Sequence, residues 1–494
     1  GRSSSLVCVA MGMVSAAEAP RVGGGDRGEE ASRARGRLHA ALRDLVHGGP
    51  STSSKTVLGH KERIFCCRGK VVQSDEASEA SEASEEGARA KEKRRCLFAT
   101  GSEDKTVGIW IYGGVGGRGS GFRLLHTLQG HDEEVLSVEW SPTGRLLASA
   151  SADNTVMIWE LPDRLDRIEA EAPALVGRVR HGDHVYRSLF TTGALLGMPG
   201  GGGGDGGDGD GDGDGPMGKE EPMQLLVTCS SNQVLCWSLS SGREGLLLSK
   251  TLDSRGNYVY GGQRNPSKMV HIFDVAVLRG NRLAAACSDG TVRLLTLRRS
   301  GDSERVLGPF DSPAGCLARI KAQGPEEEAD RLCLCCTDGT VYVYRDSPEI
   351  SKSEGDSERR LFSWRAHQAN IFDCQAVGTD RLLTCSSDGT VKLWDLRDAE
   401  ARHVATFEKK NYPFHSMHLV FRDDTGSGCG GGAPGAGVDD GVGNADADAD
   451  AEGEEEGFVS GLRGAGEGIL VAAGGTTGMF GTPWFAQVVD FSVL

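Results

Sequence analysis

Short apolar runs with a period of two recur along this chain, and many of them come in pairs joined by an Asp-centred turn. "GSEDKTVGIW", "SASADNTVMIW", "AACSDGTVRLL", "LCCTDGTVYVY" and "TCSSDGTVKLW" can be laid over one another. In each an Asp stands six positions before a bulky residue: Asp104 and Trp110, Asp153 and Trp159, Asp289 and Leu295, Asp338 and Tyr344, Asp388 and Trp394. A sixth copy, "TCSSNQVLCW", has Ser231 in place of the Asp and ends at Trp237. Alternation of this kind predicts half-buried strands. Asp-Gly and Asp-Asn predict the tight turn between them, because those residues tolerate positive φ. Upstream of most copies lies a further apolar run opened by a histidine: His60, His131, His184, His271 or His367.

The repeat organises the chain. "GHDEEVLSVEWSPTGRLLASASADNTVMIWEL" resembles the WD40 family over its whole length, with the Gly-His and Trp signature of a four-stranded propeller blade. The resemblance implies an all-β fold, a single seven-bladed propeller over residues 55–494 preceded by an extension over 1–54. The last blade is degenerate, built from "FHSMHLVF", "GILVAAGG" and "FAQVVDFSV". Its missing outer strand is expected from "SKTVLG" near residue 55, which would remove an exposed sheet edge. The family also implies that His131, Ser151, Asp153 and Trp159 form a hydrogen-bonded structural network within one blade, repeated by His367, Ser386, Asp388 and Trp394. Repetition argues for scaffolding and against catalysis.

Composition then separates body from insertions. Much of the glycine excess and more than the whole net charge of −16 reside in biased stretches at 74–95, 199–222 and 423–457. Residues 74–95, 201–222 and 423–457 carry about −2, −6 and −11, leaving about +3 for everything else. Such stretches bury too little apolar area to order themselves and are expected to be disordered. Each falls between the first and second strands of a blade, so all three should leave from one face. The opposite face, shared by the histidine loops and the Asp turns, then stays uncovered. Its loops offer Arg255, Tyr258, Tyr260, Arg264 and Lys268, and further along Lys409, Lys410, Tyr412 and Phe414, with Tyr186, Arg187 and Arg365 near the same rim. Aromatic and Arg side chains on exposed loops are the usual material of binding hot spots; capping of the barrel mouth by Tyr258 and Phe414 is the alternative.

No catalytic, cofactor or metal site is expected. "CLCC" at 333–336 lacks the spacing of a zinc site, and alternation sends Cys333 and Cys335 to one face and Cys336 to the other. From Asp210 the chain matches a calcium loop, with Asp212, Asp214, Gly215 and Glu221 in register. Glycines precede it and a strand follows, so composition explains the match. Fourteen cysteines without regular spacing suit a reduced intracellular protein, in cytoplasm or nucleus. The stretch after Arg2 has the layout of a signal peptide, which the cysteines weigh against, and no apolar run reaches membrane-spanning length. Residues 31–47 carry Leu38, Leu42 and Leu45 at helical spacing, and whether that segment docks or stays unordered is open. "WDLR", ending at Arg397, resembles the adaptor-binding signature of WD40 receptors for cullin-RING ubiquitin ligases. The expected function is a non-catalytic scaffold presenting its uncovered face to protein partners, with an acidic or phosphorylated peptide preferred. The alternatives are a ubiquitin-ligase substrate receptor and an RNA-contacting subunit of an RNA-processing or RNA-modification complex. Neither a membrane nor a small-molecule substrate is expected.

Overall fold

The computed structural model describes residues 54–57, 59–72, 95–112, 122–192, 224–240, 243–252, 259–260, 263–264, 270–279, 282–296, 303–322, 329–346, 360–397, 400–408, 413–421, 468–474 and 485–490. The segment 1–53 with its expected helix, most of the three biased insertions and the Asp210 loop lie outside them.

β1 (Ser54–Val57) comes first in the chain and belongs to the last sheet. The first complete sheet holds β2 (Ile64–Val72), β3 (Arg95–Ser102), β4 (Val107–Tyr112) and β5 (Phe122–Leu128). The second holds β6 (Val135–Trp140), β7 (Leu146–Ser151), β8 (Thr155–Glu160) and β9 (Ala174–Arg180), with the short helix α1 (Leu165–Ala170) before β9. The third holds β10 (Val185–Thr192), β11 (Gln224–Ser230), β12 (Gln233–Ser240) and β13 (Arg243–Thr251). A small hairpin follows, β14 (Val259–Tyr260) with β15 (Gln263–Arg264). The fourth sheet holds β16 (Ile272–Leu278), β17 (Arg282–Cys287), β18 (Val292–Thr296) and β19 (Ser303–Leu307). The fifth holds β20 (Ala314–Ile320), β21 (Asp330–Cys336), β22 (Thr340–Asp346) and β23 (Arg360–Arg365). The sixth holds β24 (Ile371–Val377), β25 (Arg381–Ser386), β26 (Thr390–Asp395) and β27 (Arg402–Glu408).

The expected count of seven blades is corrected to six built from continuous chain among the described residues. Six sheets are each built from four consecutive strands, whereas the remaining four-stranded sheet is a composite of distant parts of the chain. It takes β28 (Phe414–Phe421), β29 (Gly468–Gly474) and β30 (Phe485–Asp490) from one end, and β1 from the other, in the order β1-β30-β29-β28. Ser54 pairs with Val489 and Val57 with Ala486. The innermost strands contact their neighbours around the ring, β28 against β2 included, so the architecture is an all-β propeller.

Alternation decides what each strand buries. Along β7 and β8, Leu147, Met157 and Trp159 face the first sheet, whereas Ala148, Ala150, Val156 and Ile158 face the third. The sheets therefore stack through apolar layers on both sides, which is why their inner strands read as nearly continuous apolar runs. At the turns, Lys105, Asn154, Gly290, Gly339 and Gly389, each following the repeat Asp, all have positive φ. At Gly339 a Cβ would meet the His367 carbonyl oxygen at 2.2 Å, so glycine is required there by space as well as by φ.

The insertions attach at one end of this ring. Val72 pairs directly with Arg95, Thr192 with Gln224, and Phe421 with Gly468, at the sheet ends away from the histidine loops. Among the described residues no helix is long and apolar enough to cross a membrane.

Candidate functional site

The repeat histidines and aspartates do not form a reactive cluster. His131 Nδ1 lies 2.8 Å from the Asp153 carboxylate, His131 Nε2 lies 2.8 Å from Ser149 Oγ, and Trp159 Nε1 donates to the same hydroxyl at 2.9 Å. Asp153 also accepts from the backbone N–H of Asp132 and Thr155 and from the Thr155 hydroxyl. Ser151, expected in this network, stands aside: its Oγ accepts from the Asp153 N–H and donates to the Glu133 carbonyl. His367, Asp388 and Trp394 repeat the arrangement around Thr384, with Ser386 again holding the turn. A third copy joins His60, Asp104, Thr100 and Trp110.

Burial pushes the Asp104, Asp153 and Asp388 carboxyls up, but the bonds from histidine, threonine and backbone outweigh it and hold all three well below the ordinary carboxylate range. In the third sheet the bridging histidine is His181, not His184. It meets Thr228 and thereby Trp237, while Asp183 pairs with Ser231 at the position the repeat Asp has vacated. Burial lowers His181 to about 4, so it is neutral near pH 7. In the fourth sheet a buried arginine does the histidine's work: Arg293 contacts Asp289 at 2.6 Å, Thr291 at 2.8 Å and Glu304 at 2.9 Å.

The feature with the geometry of a binding site lies at the central channel. Each inner strand carries a register shift around its second residue. A bulge there re-aims a side chain, and the seven residues so placed, Phe65, Leu136, Tyr186, Phe273, Gly315, Phe372 and His415, all line one cavity. Phe372 and His415 rings sit 4.8 Å apart, His415 and Phe65 6.3 Å, and Tyr186 and Phe273 6.0 Å edge to face. Leu136 packs between Phe65 and Tyr186. The result is an apolar arc interrupted at one place, Gly315, which has no side chain to continue it.

Beneath the arc runs a belt of buried charge. Asp373 meets Arg68 at 3.0 Å, Arg68 meets Glu139 at 3.5 Å, Glu139 meets Arg187 at 3.8 Å, and Arg187 meets Asp274 at 3.2 Å. Asp373 and Asp274 also accept backbone N–H groups of the next sheet, from Met417 and Leu317. Burial raises both carboxyls; at Asp274 it prevails, whereas at Asp373 the Arg68 and Arg187 charges win and the group is held below its ordinary value.

Of the residues expected on the open face, Tyr186 is in the arc and Arg187 lies below it in the belt. Phe414 is fully buried against Phe407 and is core, not rim. Its place in the strand explains this: the residue before the bulge points between sheets. Arg365 is exposed at the end of outer strand β23. Tyr260 and Arg264 belong to the small hairpin, with side chains outside the described set; Arg255, Tyr258, Lys268, Lys409, Lys410 and Tyr412 lie outside it altogether. Arg397, half exposed, is turned back onto Asp395 at 2.6 Å and Asp380 at 3.6 Å.

The family model for the WD domain, G-beta repeat, matches residues 122–160 and 358–395, the stretches that contain the networks of His131 and His367. The matched segments are WD40 repeats, and the chain is similar to the WD40-repeat β-propeller family. Within curated proteins this WD40 chain is 41% identical over 81 residues to Protein HIRA of Caenorhabditis elegans, covering 14% of the chain and 9% of that protein. It is 38% identical over 91 residues to a probable cytosolic iron-sulfur protein assembly protein 1 of Aspergillus flavus, covering 13% and 21%. The matches thus span less than a quarter of either relative. Among solved structures the WD40 chain superposes on that of U3-55K with a TM-score of 0.49 and 15% identity, over 90% of this chain and 100% of that one.

Proposed function

We propose that this WD40 propeller is a non-catalytic scaffold inside the cell, in cytoplasm or nucleus, which receives a protein partner at its channel mouth within a multisubunit assembly. WD40 propellers are generally non-catalytic scaffolds, and His60, His131 and His367 with Asp104, Asp153 and Asp388 are taken up by the blade networks. The observation that carries the reading is the interrupted apolar arc. Aromatic side chains on a rigid ring offer contact area that binding need not first order, and the break at Gly315 admits one apolar side chain of the partner. An acidic or phosphorylated flank on that partner is the chemistry favoured by the Arg and Lys residues that the sequence sets between β13 and β16 and between β27 and β28.

The test is affinity purification of the tagged chain with identification of co-purifying subunits. Two variants are compared with the native chain: Phe65→Ala with Phe372→Ala, and Arg255, Arg264, Lys409 and Lys410 changed together to Ser. Loss of the same subunits in both is expected. Retention in both overturns the reading, and capture abolished by nuclease instead assigns the face to RNA. Loss only with Arg397→Ala, made as a third variant, assigns the chain to a ligase adaptor.

A further inference from the structure

Three cysteines that are far apart in sequence meet between the fifth and sixth sheets. Cys316 is in β20 and Cys335 directly opposite it in β21, while Cys374 comes from β24 of the next sheet. Their Sγ atoms all lie within 4.8 Å of one another. A metal ion bound at about 2.3 Å from each of three thiolates needs sulfurs roughly 4 Å apart, so the trio is within a rotamer adjustment of a coordination geometry.

We propose that Cys316, Cys335 and Cys374 form a binding site for a soft, thiophilic d10 metal ion, of the zinc(II) or copper(I) kind. Three observations support the chemistry. All three residues are buried free cysteines, and thiolate ligands select soft ions over magnesium or calcium. The thiols already interact as a unit, with Cys374 hydrogen-bonded to both Cys316 and Cys335. The site also has an approach, since Cys316 lines the channel cavity beside Gly315, where the apolar arc is open. Binding releases the thiol protons to solvent, and the positive ion offsets the thiolate charge that burial alone disfavours. A three-sulfur set suits copper(I) directly, whereas zinc(II), which prefers four ligands, takes water from the cavity side.

The experiment uses the full chain, purified under a non-thiol reductant, stripped with a chelator and titrated separately with Zn²⁺, Cd²⁺ and Cu⁺. Thiolate-to-metal charge-transfer absorption is followed for Cd²⁺ and Cu⁺, and bound metal is measured after desalting for all three. One ion per native chain is expected, with a metal-dependent rise in Tm because only the folded state assembles the trio. Cys374→Ala and Cys335→Ala should each weaken binding at least tenfold. Cys333→Ala, on the same strand face but outside the trio, should leave it unchanged. Less than a tenth of an ion per native chain overturns the proposal without reference to any variant. So does a full complement retained by a folded Cys374→Ala chain, which would place the metal elsewhere. A preference for Cu⁺ over Zn²⁺ of tenfold or more identifies the three-coordinate site; the reverse identifies the water-completed one.

Discussion

Ser149→Ala provides a direct reading of how much one blade network contributes. Trp159 Nε1 can only donate, so the Ser149 oxygen accepts there at 2.9 Å. The hydroxyl proton is then free for His131 Nε2 at 2.8 Å, which leaves Nδ1–H to donate to Asp153 at 2.8 Å. The wiring runs one way from indole to carboxylate. Ser149 is fully buried, and removing its oxygen strands two buried groups, the Trp159 indole N–H and His131 Nε2. Each stranded group costs about 1–3 kcal/mol, so the substitution should cost roughly 3–4 kcal/mol. Ser151→Ala, two residues along the same strand, removes bonds of 3.1 Å to two backbone groups at a partly exposed turn. Water can replace them, and about 1 kcal/mol is expected. Urea midpoints followed by circular dichroism on both variants decide the matter: Ser149→Ala must lie clearly below Ser151→Ala. Equal midpoints, or the reverse order, would refute the assignment of Ser149 as the bridge.

Arg293→Ala should cost about 3–5 kcal/mol, because it leaves Asp289 and Glu304 without their shared cation; a thermal melt measures it, and Arg293→Met should recover little. Asp104, Asp153 and Asp388 are held below their ordinary pKa in the fold, so their contribution is complete above the unfolded-state value of about 4 and is lost as pH falls below it. The urea midpoint should accordingly drop between pH 5 and pH 3, and less steeply in Asp153→Asn. Deleting residues 54–57 uncovers the edge of β30 and should lower Tm and produce concentration-dependent association by light scattering.

The blade pattern was open to reading because its signals are local: an Asp, a turn residue with positive φ and a bulky residue six places on lie within one hairpin. What was misread turns on distances that alternation does not encode. Ser149 and Ser151 share a strand face, as do Ser386 and Thr384, and only the reach of the indole nitrogen separates them. His181 and His184 flank the same loop, and the earlier one bridges to Thr228. Phe414 looked like a rim residue because it follows a basic loop, yet the bulge after it turns His415, not Phe414, to the channel. Phe65, Leu136, Phe273, Phe372 and His415 carry no local mark of this kind; what relates them is their shared second position in the inner strands. "CLCC" was read strand by strand, and Cys333 and Cys335 do face one neighbour while Cys336 faces the other. The trio around Cys335 draws its members from two sheets, a relation that no spacing along the chain records.

The composite sheet also fixes how the ring responds to mechanical load. β1 and β30 run antiparallel, with Ser54 beside Val489, so a pull on the chain before β1 and after β30 acts at the same corner of the pair. Force applied there peels hydrogen bonds one after another instead of shearing them together. The propeller is thus closed against thermal agitation but has a tear strip: tension between flanking segments would open it at this seam first, before any of the six blades made from continuous chain gives way.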